Sequence, residues 1–179
     1  GRWACIPFSL LGGWVCFRWA TELYGRAAGL VALTLWCFSP FVIANGELIT
    51  GDMAATSFGV AAFYFFWRWL RRRTWGSAVA AGFVLGLAEL SKFLWVFLYP
   101  LFPVLWLVWS FMPNKKQREI SRLREGSQCA VILLLAVFVT NWGYLFDGTC
   151  SPLRTYQVYD RVLESWGMTG ETLEERHWL

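Results

Sequence analysis

Apolar residues in this chain are grouped into six long blocks, which short polar or basic segments separate. The blocks lie at residues 4–20, 27–45, 53–70, 76–91, 93–112 and 128–146. A helix needs about 20 predominantly apolar residues to cross a bilayer, and a backbone in hydrocarbon must satisfy its own hydrogen bonds. Each block is therefore predicted to be a transmembrane helix. The predicted fold class is all-α: a polytopic bundle of about six spans over residues 1–147, then an extracytoplasmic loop or the start of an outer domain over residues 148–179.

Two of the blocks carry local features that predict how their helices are shaped and packed. Pro100 and Pro103 are predicted to kink the fifth helix. Small residues recur about once per turn in the fourth block, which predicts close packing against a neighbouring helix. These small residues are Gly76, Ala80, Gly82 and Gly86.

The composition favours a membrane protein over a soluble domain. Hydrophobic residues make up 57% of the chain and charged residues 16%, and there are 13 tryptophans. A soluble domain has about 45–50% apolar and about 25% charged residues. The cysteines are scattered without a CxxC or Cys/His spacing, so we interpret them as packing residues and predict no metal site.

Basic residues collect at alternate connections between the blocks. Arg18 and Arg26 flank the first connection, residues 68–73 supply four arginines at the third, and residues 115–124 supply five basic residues at the fifth. The positive-inside rule places these connections in the cytoplasm. The turn at residues 45–52, the connection at Lys92 and the chain after residue 147 are then predicted to face outward.

The basic run at residues 115–124 does not predict nucleic acid as a partner. It is short, lacks interleaved aromatic residues and lies between two apolar blocks. Such a run is typical of a topology determinant beside the lipid bilayer.

Two carboxylates, Glu47 and Asp52, lie in the outward turn ELITGD. One interpretation is a solvated reversal, in which Gly46 and Gly51 form the turn and Asp52 caps the next helix with help from Thr50. The other is a polar site at the outer membrane face. Both interpretations remain open on the residues alone.

Lys92 lies between two apolar blocks, and its nearest charged neighbour is Glu89, three positions earlier. It could be a snorkelling lysine that pairs with Glu89. Alternatively, an ionisable residue at this depth could bind a lipid phosphate. A basic residue on the outer side runs against the positive-inside trend, which favours the functional interpretation.

Three motifs resemble the GT-C superfamily of polytopic glycosyltransferases. The nearest branch is the protein O-mannosyltransferase-like family, which includes the lipid A aminoarabinose transferases. The first motif begins with a (F/Y)G-x-x-AG-L segment, which is YGRAAGL here. A helix that ends in SP follows, here at Ser39-Pro40, and then a turn with T-x-D, here Thr50-Gly51-Asp52. The second is AG-x-x-x-GLA-x-x-(S/T)K, present as AGFVLGLAELSK. The third is N-x-GY-x-F-(D/E)-G, present as NWGYLFDG. The resemblance covers about residues 2–150.

The resemblance implies a multi-pass enzyme of the bacterial inner membrane that transfers a mannose-like or aminoarabinose-like sugar. The donor would be a polyprenyl-phosphate-linked sugar, and the acceptor a protein or glycolipid at the extracytoplasmic face. Glu47 and Asp52 would shape a substrate-binding pocket, and Lys92 would contact the donor phosphate. The family's general base is an aspartate in the first outer loop, which we expect upstream of Gly1, so that this chain is a fragment of a longer one. Some superfamily members use a divalent cation as cofactor and others use none; no ligand cluster here distinguishes the two.

Two other classes of protein compete with the enzyme interpretation. A transporter or flippase would be favoured by inverted repeats, but the first three blocks do not echo the last three. A non-catalytic membrane subunit would tolerate neutral replacements of Asp52 and Lys92.

Overall fold

The computed structural model describes residues 5–47, 51–111 and 122–146, and these residues are almost entirely helical. In chain order the helices are α1 (Ile6–Tyr24), α2 (Arg26–Cys37), α3 (Pro40–Glu47), α4 (Asp52–Arg72), α5 (Trp75–Ser91), a 3-10 helix (Phe93–Phe97), α6 (Leu98–Phe111) and α7 (Arg122–Gly143). The described residues include no strand. The all-α prediction is therefore confirmed, although several boundaries differ from the apolar blocks.

The second apolar block forms two helices rather than one. α2 ends at Cys37, and α3 begins at Pro40. Proline lacks an N–H and disfavours a helical backbone at the residue before it, so the helix stops before Ser39. Proline is well suited to the first position of a new helix, where its missing N–H costs nothing. The backbone N–H of Ile43 bonds to the Ser39 carbonyl at 3.0 Å and closes the first turn of α3.

The fifth block is also divided, at a different place from the predicted kink. Residues Phe93–Phe97 form a 3-10 helix, and α6 starts at Leu98 with Pro100 in its first turn. Pro100 cannot donate to the carbonyl of Val96, so a continuous α-helical ladder is interrupted there. Pro103 lies inside α6.

The helices around α5 form the best-packed part of the molecule. α5 lies between α4 and α7, and α1 packs against the other side of α4 and against α2. The buried side chains here include Phe66, Trp69, Leu85 and Phe102. The rings of Phe66 and Phe102 stack with centroids 3.9 Å apart, which ties α6 to α4.

Close approach of α5 and α7 depends on two glycines. A Cβ atom added at Gly82 would lie 2.7 Å from the carbonyl oxygen of Ile132, and one at Gly86 would lie 2.6 Å from Cβ of Val139. The same test finds nothing within 4 Å of Gly76. The prediction of close packing is thus confirmed for Gly82 and Gly86 and is wrong for Gly76, which is exposed.

The bundle has two chemically different ends. The start of α4 and the end of α5 define what we call the Lys92 end, where Lys92 meets Asp52. The end of α4 and the start of α7 define the arginine end, where Arg73 meets Glu125. Arg71 and Arg72 belong to the last turn of α4, at the arginine end. Arg71, Arg72 and Arg73 thus lie together at this end, whereas most of the fifth connection lies outside the described residues, so the sidedness of the connections stays a prediction.

A buried polar network closes the arginine end. Arg73 has a left-handed backbone and forms an ion pair with Glu125, and both side chains are buried. Gln128 accepts a hydrogen bond from Trp69 at 3.0 Å and donates one to the Arg73 carbonyl at 3.1 Å. The sixth block was expected to begin at residue 128, but α7 begins at Arg122, because these pairings allow its polar first turns to pack inside the bundle.

Two helical segments in the described part of the chain are long and apolar enough to cross a bilayer. They are Phe93–Phe111 and Leu123–Gly143. The helices Arg26–Cys37 and Trp75–Ser91 are apolar but shorter. α1 and α4 have 19 and 21 residues, and both contain charged side chains. Six full spans therefore remain a prediction.

The outward surface of the helices is apolar over large areas. Leu30, Val31 and Leu35 are exposed on α2, and Val104 and Val108 are exposed on α6. Surfaces of this kind are typical of contact with a membrane or another protein.

The chain divides into two units, Gly1–Tyr144 and Leu145–Leu179. In the second unit the structure describes Leu145 and Phe146, both with a left-handed backbone. The predicted boundary near residue 147 and the outer segment 148–179 lie outside the described residues and stay a prediction.

Substitution of Gly82 by alanine is expected to destabilise the bundle. The new Cβ would meet the backbone of Ile132, which has little freedom to move, and overpacking of this kind costs about 1–3 kcal/mol. Thermal unfolding in detergent should show a lower Tm for Gly82→Ala. Gly76→Ala in the same helix is the matched control, because its Cβ meets nothing; equal Tm values for the two variants would contradict the packing.

Loss of Glu125 is expected to be more costly than loss of an exposed partner. Glu125→Ala leaves the buried Arg73 guanidinium without its carboxylate, at a cost of about 3–5 kcal/mol. Arg18→Ala removes the guanidinium that contacts Glu22 at 3.5 Å in a largely exposed pair, which should cost about 1 kcal/mol or less. Thermal unfolding of both variants measures the difference, and a Tm loss no larger for Glu125→Ala would rule out a buried pair.

Candidate functional site

Asp52 and Lys92, which were singled out separately in the sequence, meet at the Lys92 end of the bundle. Lys92 Nζ lies 2.7 Å from Asp52 Oδ1, although the residues are 40 positions apart. The Lys92 side chain is 50% exposed and the Asp52 side chain is 41% exposed. The antiparallel packing of α4 and α5 produces this contact, since it places the first residue of one helix beside the residue that follows the other. A charged pair that is half exposed remains available to a ligand.

Asp52 is the first residue of α4, and Gly51 occupies the N-cap position. The prediction that Asp52 caps this helix is therefore wrong, because the carboxylate is one position too late and bonds to Lys92 instead. Thr50, its expected helper, lies outside the described residues. A carboxylate in the first turn is still favoured by the helix dipole. The first backbone N–H groups of α4 also lack acceptors within the helix, because no turn precedes them.

Lys92 is held by the backbone at the end of α5. It is the C-cap residue, with an extended backbone (φ −161°, ψ 121°). Its N–H bonds to the Ala88 carbonyl, and its own carbonyl accepts the N–H of Trp95, both at 3.1 Å. The chain thus leaves the helix abruptly at Lys92 and enters the 3-10 helix, and the long side chain extends across the start of α4.

Trp95 fastens this segment to α4. Its Nε1 donates to the carbonyl oxygen of Ala55 at 3.1 Å. Its ring occupies the space that a side chain at residue 59 would take, since a Cβ on Gly59 would overlap the indole. Sequence reasoning missed this residue; its position three residues after Lys92 and the glycine in α4 were the available signals.

Glu89 is not the partner of Lys92. It is 7% exposed, and its Oε2 accepts hydrogen bonds from Tyr99 at 2.8 Å and from Thr140 at 3.1 Å. The predicted alternative of a Glu89–Lys92 pair is therefore wrong. The helix turns Glu89 into the bundle, whereas Lys92 follows the end of the helix and points toward α4.

Glu47, the third predicted site residue, ends α3. Its side chain lies outside the described part of the structure, so its role stays a prediction.

No group of three or more histidine, cysteine, aspartate or glutamate side chains that could hold a metal ion occurs among the residues that the structure describes. Asp52 is the carboxylate found at the exposed pair, and its neighbour there is a cation. The divalent cofactor that some GT-C enzymes use is thus assigned no site in this part of the chain.

The described residues form an all-helical bundle with large exposed apolar surfaces, which is typical of a helical membrane protein. The family described as dolichyl-phosphate-mannose-protein mannosyltransferase matches residues 1–144, and the chain belongs to this family. Its members are membrane-integral glycosyltransferases of the GT-C type, which in general use a lipid-linked sugar donor and a protein acceptor. Searches among curated proteins and solved structures give no match.

Neutralisation of Asp52 is expected to leave the fold nearly unchanged. The ion pair is exposed and screened, so Asp52→Asn should cost about 1 kcal/mol or less. Thermal unfolding of Asp52→Asn in detergent should give a Tm close to that of the wild type. A large loss of Tm would show that the pair stabilises the bundle and is not free to exchange with a ligand.

Proposed function

We propose that this chain forms part of an enzyme that transfers a sugar from a polyprenyl-phosphate donor to an acceptor at the extracytoplasmic face. Asp52 and Lys92 would line its substrate site. The observation that supports this most is the half-exposed contact of the two side chains at the end of the bundle opposite the arginines. The family match supports the reaction class.

In this proposal Lys92 binds the donor phosphate. Lysine and a phosphate oxygen form a charge-assisted hydrogen bond. The exposed pair with Asp52 that this bond would replace contributes about 1 kcal/mol or less, so the exchange costs little. As the bond between the sugar and the phosphate breaks, negative charge grows on the phosphate, and a cation already placed there stabilises it. Asp52 keeps Lys92 extended over the start of α4 until the donor arrives.

Asp52 and Glu47 would then contact sugar hydroxyls. Carboxylates accept hydrogen bonds from hydroxyl groups, and Asp52 loses its bond to Lys92 when the phosphate takes its place. Neither carboxylate removes the acceptor proton in this proposal; that role belongs to the aspartate that the resemblance implies in the preceding outer loop. The proposed sugar is mannose-like or aminoarabinose-like, and the acceptor is a protein or glycolipid.

The proposed orientation follows from the charges. The arginine end would face the cytoplasm of a bacterial cell, and the Lys92 end would face outward from its inner membrane. A site at the membrane surface lets the headgroup react while the polyprenyl tail stays in the bilayer.

Neutral substitutions in the full-length protein test the site. Lys92→Gln should lower kcat/KM for the polyprenyl-phosphate sugar about 10- to 100-fold, because a charge-assisted bond to phosphate is lost. Asp52→Asn should also lower sugar transfer. The measurement is steady-state transfer by protein purified in detergent, with expression and Tm recorded for each variant.

Two controls separate substrate binding from a structural ion pair. Arg72→Gln removes one exposed positive charge at the opposite end and should leave turnover normal. The exchange Asp52→Lys with Lys92→Asp restores the ion pair but moves the cation. A purely structural pair would recover activity in the exchanged protein, whereas a phosphate contact would not. Normal turnover in both single variants would eliminate the site assignment.

A further inference from the structure

Glu89 is a carboxyl group buried inside the bundle, with 7% of its surface exposed. It lies in the last turns of α5, with neighbours from α6 and α7. Oε2 accepts both of its hydrogen bonds, while Oε1 is buried and has no hydrogen-bond partner among the described residues. A buried carboxyl that is half satisfied contributes little to stability compared with leucine. Its presence therefore calls for another explanation.

The hydrogen bond between Tyr99 and Glu89 closes the segment that contains Lys92. Glu89 lies three residues before Lys92, and Tyr99 lies seven residues after it. The Tyr99 hydroxyl donates to Glu89 at 2.8 Å and so joins the first turn of α6 to the last turn of α5. This hydrogen bond closes a loop that consists of residues 90–98 and includes the backbone of Lys92.

Trp95 fixes the same loop from the other side. Its indole fills the notch at Gly59 and bonds to the Ala55 carbonyl. The loop is thus attached to α4 through Trp95 and to α5 through Tyr99. Lys92 Nζ, whose four-carbon stem is flexible by itself, starts from a backbone with little freedom.

We propose that Glu89 is a positioning residue, which sets the affinity for the donor phosphate by holding, through Tyr99, the loop from which Lys92 reaches its ligand. This inference rests on the proposed role of Lys92. Glu89 itself does not touch the donor. Thr140 supports the arrangement from α7, since its hydroxyl lies 3.1 Å from Glu89 Oε2 and 2.9 Å from the Ala136 carbonyl.

The decisive variant replaces both partners of the hydrogen bond at once. Glu89→Leu combined with Tyr99→Phe removes a donor and its acceptor together, and such paired apolar replacements can be nearly neutral for stability. Thr140 retains its bond to Ala136. The full-length double variant should keep its Tm, yet its KM for the polyprenyl-phosphate sugar should rise about tenfold, because a small displacement of a binding group has a large effect.

A second tyrosine–glutamate pair in the chain supplies a matched control. The Tyr64 hydroxyl donates to Glu22 at 2.8 Å, between α4 and α1 and away from Lys92. Tyr64→Phe removes the same chemical group as Tyr99→Phe. We expect a raised donor KM for Tyr99→Phe and an unchanged one for Tyr64→Phe.

A double-mutant cycle with Lys92→Gln shows whether Glu89 acts through Lys92. If it does, the Glu89→Leu/Tyr99→Phe change should have little further effect on donor KM once Lys92 is neutral. Independent, multiplying effects would overturn the inference, because they would indicate a general structural role. So would a normal donor KM in the Glu89→Leu/Tyr99→Phe protein while Lys92→Gln is impaired. A normal kcat/KM for the donor in Lys92→Gln would overturn the proposed role of Lys92 itself.

Discussion

The contact of α5 with α4 on one side and α7 on the other is the constraint on which the rest of the bundle depends. Apolar side chains alone distinguish poorly between neighbours when the surroundings are also apolar, so helix association relies on close fit and on polar contacts. Gly82 and Gly86 provide the fit toward α7. The buried network of Arg73, Glu125 and Gln128 provides polar contacts at one end, and Glu89 with Tyr99 and Thr140 provides them nearer the other.

Once α5 is fixed in this way, the chemistry at the two ends follows. α4 and α5 are antiparallel neighbours, so the residue that opens one is beside the residue that follows the other. At the arginine end the pair of Arg73 and Glu125 is buried, which suits a structural role. At the Lys92 end the pair is half exposed, which suits exchange with an anionic ligand. The difference in burial, rather than the presence of charge, separates a structural pair from a candidate site.

Much of the fold was predictable because helices in this chain are encoded locally. The apolar blocks predicted most helix positions. Two of the exceptions also have local causes. Pro40 divides the second block and Pro100 shapes the fifth, and both effects could have been read from the missing proline N–H. The early start of α7 could not have been predicted from local sequence. Glu125 is tolerated inside the bundle because it pairs with Arg73, which lies 52 positions away in the chain.

At the candidate site, too, some features follow from the local sequence, and others depend on contacts between residues far apart in the chain. The sequence by itself determined the helical class, the family motifs and the unusual positions of Asp52 and Lys92 among apolar residues. Only the tertiary structure decided that these two residues bond to each other. It also decided that Glu89 points inward to Tyr99 and Thr140, and that the Trp95 ring packs against Gly59. The physical reason is that a charged side chain takes whichever partner the packed backbones bring within reach. The nearest carboxylate along the chain was Glu89, but the helix end turned Lys92 toward the one at the start of α4.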